Sequence, residues 1–224
     1  MLARAVVAAA ALALTAAVPA AAAPVLQPLK PCYVSVDPGT RENVLVRASG
    51  FTPFSLVDPL IDGSDQVPDG VRADAAGRVR GVVQAPYVES GERPFTLQLV
   101  ERDRPQDEVS ASALVTALFV DISPARARPS RRVGFTGSGF TARRAIFAHY
   151  VYGGRPRRTV RLARSDGVCG DFSVRARQIP IDNPQTGRWT LQVDQQRRYS
   201  AQPASVAVRI TIVVKRRPAA AQAG

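Results

Sequence analysis

Residues 95–99 read Phe-Thr-Leu-Gln-Leu, and residues 189–193 read Trp-Thr-Leu-Gln-Val. In both segments hydrophobic residues alternate with polar ones, which predicts a strand with one buried face. Further pairs of similar segments recur in the same order, at 34–38 and 120–124, 48–52 and 137–141, and 84–86 and 178–180. Their offsets drift from 86 to 94 residues, as loop insertions would cause between two copies of one domain.

Period-two alternation continues through the rest of both copies and is clearest from Val206 to Val214. Pairs such as Asp-Gly, Ser-Gly and Gly-Gly separate the runs and predict turns. Neither copy contains a helical pattern. About seven short strands per copy, with turns every 8 to 12 residues, indicate an immunoglobulin-like β-sandwich. A single continuous barrel is the alternative, and the repeat argues against it.

We therefore predict an all-β protein with two tandem immunoglobulin-like β-sandwich domains after a helical signal peptide. The first domain covers residues 24–121, the second covers 122–217, and residues 218–224 form a disordered tail of small residues.

The N-terminus has the pattern of a secretory signal peptide over residues 1–23, with Arg4, an apolar run over 5–17 and then small residues. The run is shorter than the roughly 18 residues of a membrane span. A retained anchor helix is the alternative. We expect a secreted or extracytoplasmic protein without a membrane span in its mature form.

Cys32 and Cys169 are the only cysteines. In an oxidising compartment they are candidates for a disulfide between the start of the chain and a distant turn. The alternative is a reactive thiol, which would need a neighbouring base. Neither cysteine has a histidine close by in the sequence, so we predict the disulfide.

The repeated segments also carry a family resemblance. A Val-Ser-Val-Asp-Pro segment at 34–38, the Ser-Gly-Phe-Thr segments that end at Thr52 and Thr141, and the late Trp-Thr-Leu strand resemble the bacterial Ig-like repeats. These include the IPT/TIG-like kind, found in tandem in exported proteins of GC-rich bacteria. The resemblance covers nearly all of the mature chain. It implies non-catalytic modules used as spacers or as adhesive and binding units, and it supplies no catalytic residues.

The two halves carry charges of opposite sign. Residues 24–124 contain 9 basic and 14 acidic residues, whereas residues 125–224 contain 20 basic and 4 acidic residues. A field of that size steers partners and is not needed for folding. If the hydrophobic residues of the second copy point inward, its arginines form a basic sheet face. The predicted contacts are Arg157, Arg158, Arg161, Arg175, Arg177 and Arg188.

Several partners fit such a face, because guanidinium groups bind both phosphate and carboxylate. We weigh an anionic cell-envelope polymer, a lipid headgroup surface, an acidic protein and the acidic first domain itself. The simpler interpretation is that these arginines form a solvated surface and reflect the high arginine usage of a GC-rich genome. Nucleic acid is disfavoured because the stacking aromatics of single-strand binders make up only 6% of the chain. We predict an envelope-associated binding or spacer module.

The sequence does not predict an enzyme, a metal site or a cofactor. His149 is the single histidine, and we interpret it as a half-exposed strand residue, because no Gly-x-Ser-x-Gly elbow accompanies it. One histidine and two distant cysteines do not form a zinc site. The acidic stretch 58–70 lacks the spacing of a calcium loop. A secreted hydrolase or accessory domain, whose site is not visible in motifs, is the alternative.

Overall fold

The computed structural model describes residues 23–204 and 206–215. Within these residues every regular element is a β-strand, which confirms the predicted all-β class. The predicted signal peptide, apart from Ala23, and the predicted tail at 218–224 lie outside the described residues.

Ten strands form an N-terminal sandwich of two sheets around one hydrophobic core. The smaller sheet has the order β1-β4-β8, and the larger has the order β3-β2-β10-β9-β5-β6, with β7 also paired to β5. All pairs are antiparallel except β2 with β10. The strands are β1 (Val25–Leu26), β2 (Cys32–Asp37), β3 (Thr40–Arg41), β4 (Asn43–Ser49), β5 (Leu56–Ile61), β6 (Ser64–Asp65), β7 (Val71–Arg72), β8 (Val79–Gln84), β9 (Glu92–Glu101) and β10 (Arg104–Ala117).

Seven strands form a C-terminal sandwich around a second core. Its sheets have the orders β11-β12-β15 and β14-β13-β16-β17, and all of their pairs are antiparallel. The strands are β11 (Phe119–Ser123), β12 (Arg132–Ser138), β13 (Ala145–Tyr152), β14 (Arg155–Arg164), β15 (Phe172–Arg177), β16 (Gly187–Asp194) and β17 (Val208–Val214). The predicted domain boundary, between Asp121 and Ile122, lies within β11.

The two segments that predicted the fold occupy corresponding strands. Residues 95–99 lie in β9 and residues 189–193 lie in β16, and each of these strands pairs with the last strand of its sandwich. Phe95 and Trp189 are both buried. The Trp189 ring packs against Tyr152 with centroids 4.9 Å apart, and its Nε1–H donates to the carbonyl of Gln185 at 2.8 Å. The interpretation of Trp189 as a core residue is confirmed.

The repeated Ser-Gly-Phe-Thr segments place an aromatic side chain in each core. Gly50 and Gly139 adopt positive φ values of 93° and 86°, which glycine reaches without steric cost. The turn in each segment directs the following residue, Phe51 or Phe140, into the sandwich, where both are buried.

A disulfide joins the two sandwiches, as predicted. Cys32 begins β2, and Cys169 lies in the connection between β14 and β15. Both cysteines are buried, and their Cα atoms are 5.2 Å apart. A disulfide across 137 residues of sequence is compatible with an oxidising, extracytoplasmic compartment.

Candidate anion-binding surface

The six arginines predicted to form a basic face lie on three strands of two different sheets. Arg157, Arg158 and Arg161 are on β14, Arg175 and Arg177 are on β15, and Arg188 is on β16. β14 and β15 are the edge strands of their respective sheets and lie beside each other. Five of the arginines therefore lie on two adjoining edge strands of the C-terminal sandwich. Arg188 lies apart from them, on an inner strand.

The expected inward and outward alternation is present along β15, whereas on β14 residues 155–159 are all exposed and buried or half-buried positions occur only from Val160 onward. On β14, Leu162 is buried whereas Arg157, Arg158 and Arg161 are exposed. The pairing of β14 with β13 shifts register near Arg157, which accounts for two consecutive exposed arginines. On β15, Arg175 and Arg177 are exposed and the alternate residues are half-buried.

Three further exposed arginines border the same edge and were not predicted as contacts. Arg155 and Arg164 are the two ends of β14, and Arg132 on β12 lies directly opposite Arg177 on β15. Alternation in the sequence shows that Arg132 faces outward. Only the pairing of β12 with β15 brings it to the predicted residues. We call the combined set the arginine edge; it comprises Arg132, Arg155, Arg157, Arg158, Arg161, Arg164, Arg175 and Arg177.

The arginine edge has almost no counter-charge of its own. Within residues 23–204 and 206–215, the only ion pair of these eight arginines joins Arg177 Nη1 to Asp182 Oδ1 at 3.6 Å. The Asp182 side chain is 95% exposed, so water screens this contact strongly. Most of the positive charge of the arginine edge is therefore balanced by water and by anions outside the chain.

The basic residues of the N-terminal sandwich behave differently. Carboxylates lie 2.6–3.9 Å from a cationic nitrogen in the pairs Lys30–Glu42, Arg78–Asp74, Arg93–Asp62, Arg102–Asp58 and Arg104–Asp107. In the described part of the chain no ion pair connects the two sandwiches. Five carboxylates of the acidic half thus pair with its own basic residues, and no carboxylate of that half forms an ion pair with the arginine edge among the described residues.

His149 on β13 is completely buried, so its interpretation as a half-exposed residue is wrong. Its Nε2 lies 3.2 Å from Asp194 Oδ1, and its Nδ1 lies 2.9 Å from Thr159 Oγ1. The side chain points away from the hydrophobic core, toward the outer face of its sheet. Exposure was expected on that face, and the burial comes from residues 195–204, which cover it.

This covering segment is held by a polar network. The N–H of Gln196 donates to Asp194 Oδ1 at 2.7 Å, and Gln192 Nε2 donates to Asp194 Oδ2 at 2.7 Å and to the Ser200 carbonyl at 3.0 Å. The ring of Tyr199 packs edge-on against His149, with centroids 5.8 Å apart. Burial raises the pKa of Asp194, but hydrogen bonds from His149, Gln192 and the Gln196 N–H outweigh burial, and the net pKa is lowered.

A cleft of about 550 Å³ lies between the sandwiches beside the disulfide. Its apolar walls include Val34 and Val36 from β2, and Phe140 and Val168 from the C-terminal sandwich. No group of three or more histidine, cysteine or carboxylate side chains is placed to hold a metal ion within the described residues. These residues also contain no helix long and apolar enough to cross a membrane.

Comparisons with known proteins found similarity to solved structures alone. No protein-family model matches the chain, and no curated protein matches it in sequence. Among solved structures, it is similar to a three-domain Ig fragment of titin, with a TM-score of 0.35, 13% identity and coverage of 86% of this chain. The chain spans 65% of the length of that titin fragment.

Bovine butyrophilin matches with a TM-score of 0.32 and 12% identity, over 85% of this chain and 96% of its own. A Bacteroides ovatus protein from a mixed-linkage glucan utilization locus, solved with a heptasaccharide, matches with a TM-score of 0.25 and 12% identity, over 87% of this chain and 62% of its own. At such values the similarity carries no information about function.

Proposed function

We propose that this chain is an exported, non-catalytic Ig-like protein that acts as an envelope-associated binding module. Its ligand is an anionic polymer or an acidic protein, and the contact surface is the arginine edge of the C-terminal sandwich. The observation that carries the proposal is the absence, among the described residues, of a firm intramolecular counter-ion along this edge.

Two features of the arginine edge favour an extended anion. β14 contains ten residues, which corresponds to about 33 Å at ~3.3 Å per residue. That length exceeds a single small anion and suits a polymer that runs along the strand. Guanidinium groups form paired hydrogen bonds with carboxylate or phosphate oxygens, so either kind of charged polymer can be bound.

The export and the spacer role rest on the sequence. The signal-peptide pattern of residues 1–23 and the resemblance to IPT/TIG-like repeats of exported bacterial proteins support an extracytoplasmic module. The buried disulfide between the sandwiches is consistent with the same compartment. The disulfide also restrains the two sandwiches relative to each other, which suits a module that presents one surface.

Co-sedimentation with purified cell envelope tests the proposal directly. The chain from Pro24 onward is mixed with envelope over a salt series, and the retained fraction is measured. We expect retention at low salt that falls steeply as salt screens the charges. No retention at low salt would refute the arginine edge as a ligand surface.

Charge reversal then tests the residues. The double variant Arg161→Glu/Arg175→Glu should weaken retention by about tenfold or more, since each charge-assisted hydrogen bond contributes roughly 1.5–3 kcal/mol. The matched control is Arg47→Glu/Arg80→Glu, which reverses two exposed arginines of the N-terminal sandwich. Equal losses in both double variants would mean that only net charge matters and that the edge has no special role.

A secreted hydrolase is the second candidate, because Thr159, His149 and Asp194 are connected by hydrogen bonds in the order hydroxyl, imidazole, carboxylate. Such a chain is the arrangement of an activated hydroxyl nucleophile. The test is turnover of activated esters by the wild-type chain and by Thr159→Val. Turnover that Thr159→Val abolishes, with envelope retention unchanged, would favour the hydrolase.

A further inference from the structure

Three arginines of the edge converge on the outer face of the β11-β12-β15 sheet. Arg132 on β12 lies opposite Arg177 on β15, and the next outward position pairs Gly134 with Arg175. The Arg132 Nη2 donates to the Arg175 carbonyl across the strands. This hydrogen bond holds the Arg132 guanidinium next to the Arg175 backbone, and the register places Arg132, Arg175 and Arg177 at neighbouring outward positions of two paired strands.

The neighbouring outward position on β12 has no side chain. Gly134 faces Arg175 on one side and Ser123 of β11 on the other. Above Gly134, the nearest atom that an added Cβ would meet is the Ser123 carbonyl oxygen, at 3.5 Å. The outward position at Gly134 is therefore open, and the arginine positions 132, 175 and 177 lie beside it in the strand register.

The arrangement is unfavourable in the absence of a ligand. Like charges directly opposite each other on neighbouring strands destabilise a sheet. Arg132 and Arg177 form such a pair, and Asp182 at 3.6 Å from Arg177 is an almost fully exposed counter-ion. An anion that bridges the guanidinium groups would remove the repulsion.

Resting on the proposed function above, we propose that Arg132, Arg175 and Arg177 form a site for a phosphate monoester group of the ligand. A phosphate monoester carries three terminal oxygens and a charge near −1.5 to −2 at neutral pH. It can accept from several guanidinium groups at once. A carboxylate offers two oxygens and a single negative charge, and leaves part of the cluster unmatched. The proposal thus selects anions that bear phosphate monoesters over carboxylate polymers.

Titration calorimetry with pyrophosphate as the probe, and malonate as the carboxylate counterpart, tests this selectivity on the chain from Pro24 onward. The expected result is tighter binding of pyrophosphate than of malonate. Arg132→Gln and Arg177→Gln should each raise the dissociation constant for pyrophosphate by about tenfold. Arg188→Gln, an exposed arginine on β16 outside the cluster, is the matched control and should change it little.

A conservative variant guards against a merely structural effect. Arg175→Lys keeps the charge but loses the planar fork, so it should retain weak pyrophosphate binding and lose the preference over malonate. Equal affinities for pyrophosphate and malonate in the wild-type chain, or unchanged binding in Arg132→Gln and Arg177→Gln, would overturn the phosphate site. If envelope retention still depended on Arg161 and Arg175, the proposed function would stand without it. Loss of both retention and pyrophosphate binding would refute both.

Discussion

Each sandwich fixes its Ser-Gly-Phe-Thr turn with the same hydrogen bond, made by a different side chain. In the N-terminal sandwich the N–H of Thr52 donates to the Glu101 carboxylate at 2.9 Å. In the C-terminal sandwich the N–H of Thr141 donates to the Gln195 amide oxygen at 2.9 Å, and Gln195 Nε2 donates back to the Thr141 carbonyl at 2.8 Å. A carboxylate can only accept, whereas an amide also donates. The N–H of the turn threonine is thus satisfied in both halves, but only the N-terminal half uses a charged side chain, Glu101, as the acceptor.

A second shared contact sits on the other side of the same turn. A Cβ added to Gly77 would lie 2.1 Å from the Phe51 carbonyl oxygen, and one added to Gly170 would lie 1.6 Å from that of Phe140. Both glycines have positive φ. The backbones approach so closely that neither position has room for a side chain. The same close backbone approach therefore shapes this turn in the two halves.

Outside these shared contacts, the two sandwiches differ most in how many of their basic residues have a carboxylate partner. Five of the nine basic residues of the N-terminal sandwich have carboxylate partners, whereas the eight arginines of the arginine edge share one exposed partner, Asp182, among the described residues. Because one architecture tolerates both charge patterns, folding does not require the excess of arginine. This difference is the physical basis for our proposal that the arginine edge binds a ligand.

Removal of the disulfide gives the largest expected effect on this comparison. The double variant Cys32→Ser/Cys169→Ser should lose about 2–5 kcal/mol of stability, since a long loop is no longer closed in the unfolded chain. Differential scanning calorimetry should then resolve separate transitions for the two sandwiches. A single unshifted transition would mean that the disulfide does not couple their unfolding.

Asp194→Asn is expected to destabilise the C-terminal sandwich by about 1–3 kcal/mol, because buried His149 and Gln192 lose a charged partner. The lowered pKa of Asp194 predicts a pH dependence. Its stabilising contribution is present above the unfolded value near 3.8 and is lost as the pH falls through the folded pKa.

Urea unfolding between pH 7 and pH 3, with wild type and Asp194→Asn side by side, measures this contribution. The difference between the two proteins should shrink toward the acid end of the range. A constant difference over the whole range would show that ionisation of Asp194 does not contribute.

Neutralising single surface arginines should give smaller effects that distinguish the halves. Arg102→Gln removes hydrogen bonds to both oxygens of Asp58 and should lower the melting temperature slightly, as expected for a surface ion pair. Arg175→Gln removes a charge without a partner in the described residues and should leave the melting temperature unchanged or slightly raised. Equal decreases would contradict the contrast in charge pairing.

Exchange of Glu101 for Gln is the mildest change. Because Gln195 makes the corresponding hydrogen bond in the other half, Glu101→Gln should alter stability by no more than about 0.5 kcal/mol, close to the scatter of benign substitutions. Glu101→Leu, which leaves the Thr52 N–H without its acceptor, should cost about 1–3 kcal/mol. Chemical denaturation of the two variants provides the measurement.

Local patterns in the sequence were sufficient for the all-β class, the inward phase of Phe95 and Trp189, the turns at Gly50 and Gly139, and the opposite charges of the halves. Alternation and turn chemistry are properties of neighbouring residues, so they can be recognised in the sequence before the fold is known. The disulfide between Cys32 and Cys169 was also predictable, from the number of cysteines and the expected compartment.

Other features depend on which strands lie side by side. Strand pairing alone separates β14 from β15 into two sheets, divides five of the predicted arginines between these two edge strands, and brings Arg132 beside them. The burial of His149 depends on residues 195–204, which fold back over an outer face that alternation marks as exposed. Strand register and loop placement arise from contacts between residues far apart in the chain. Hydrophobic periodicity is a local pattern, so it does not predict these contacts.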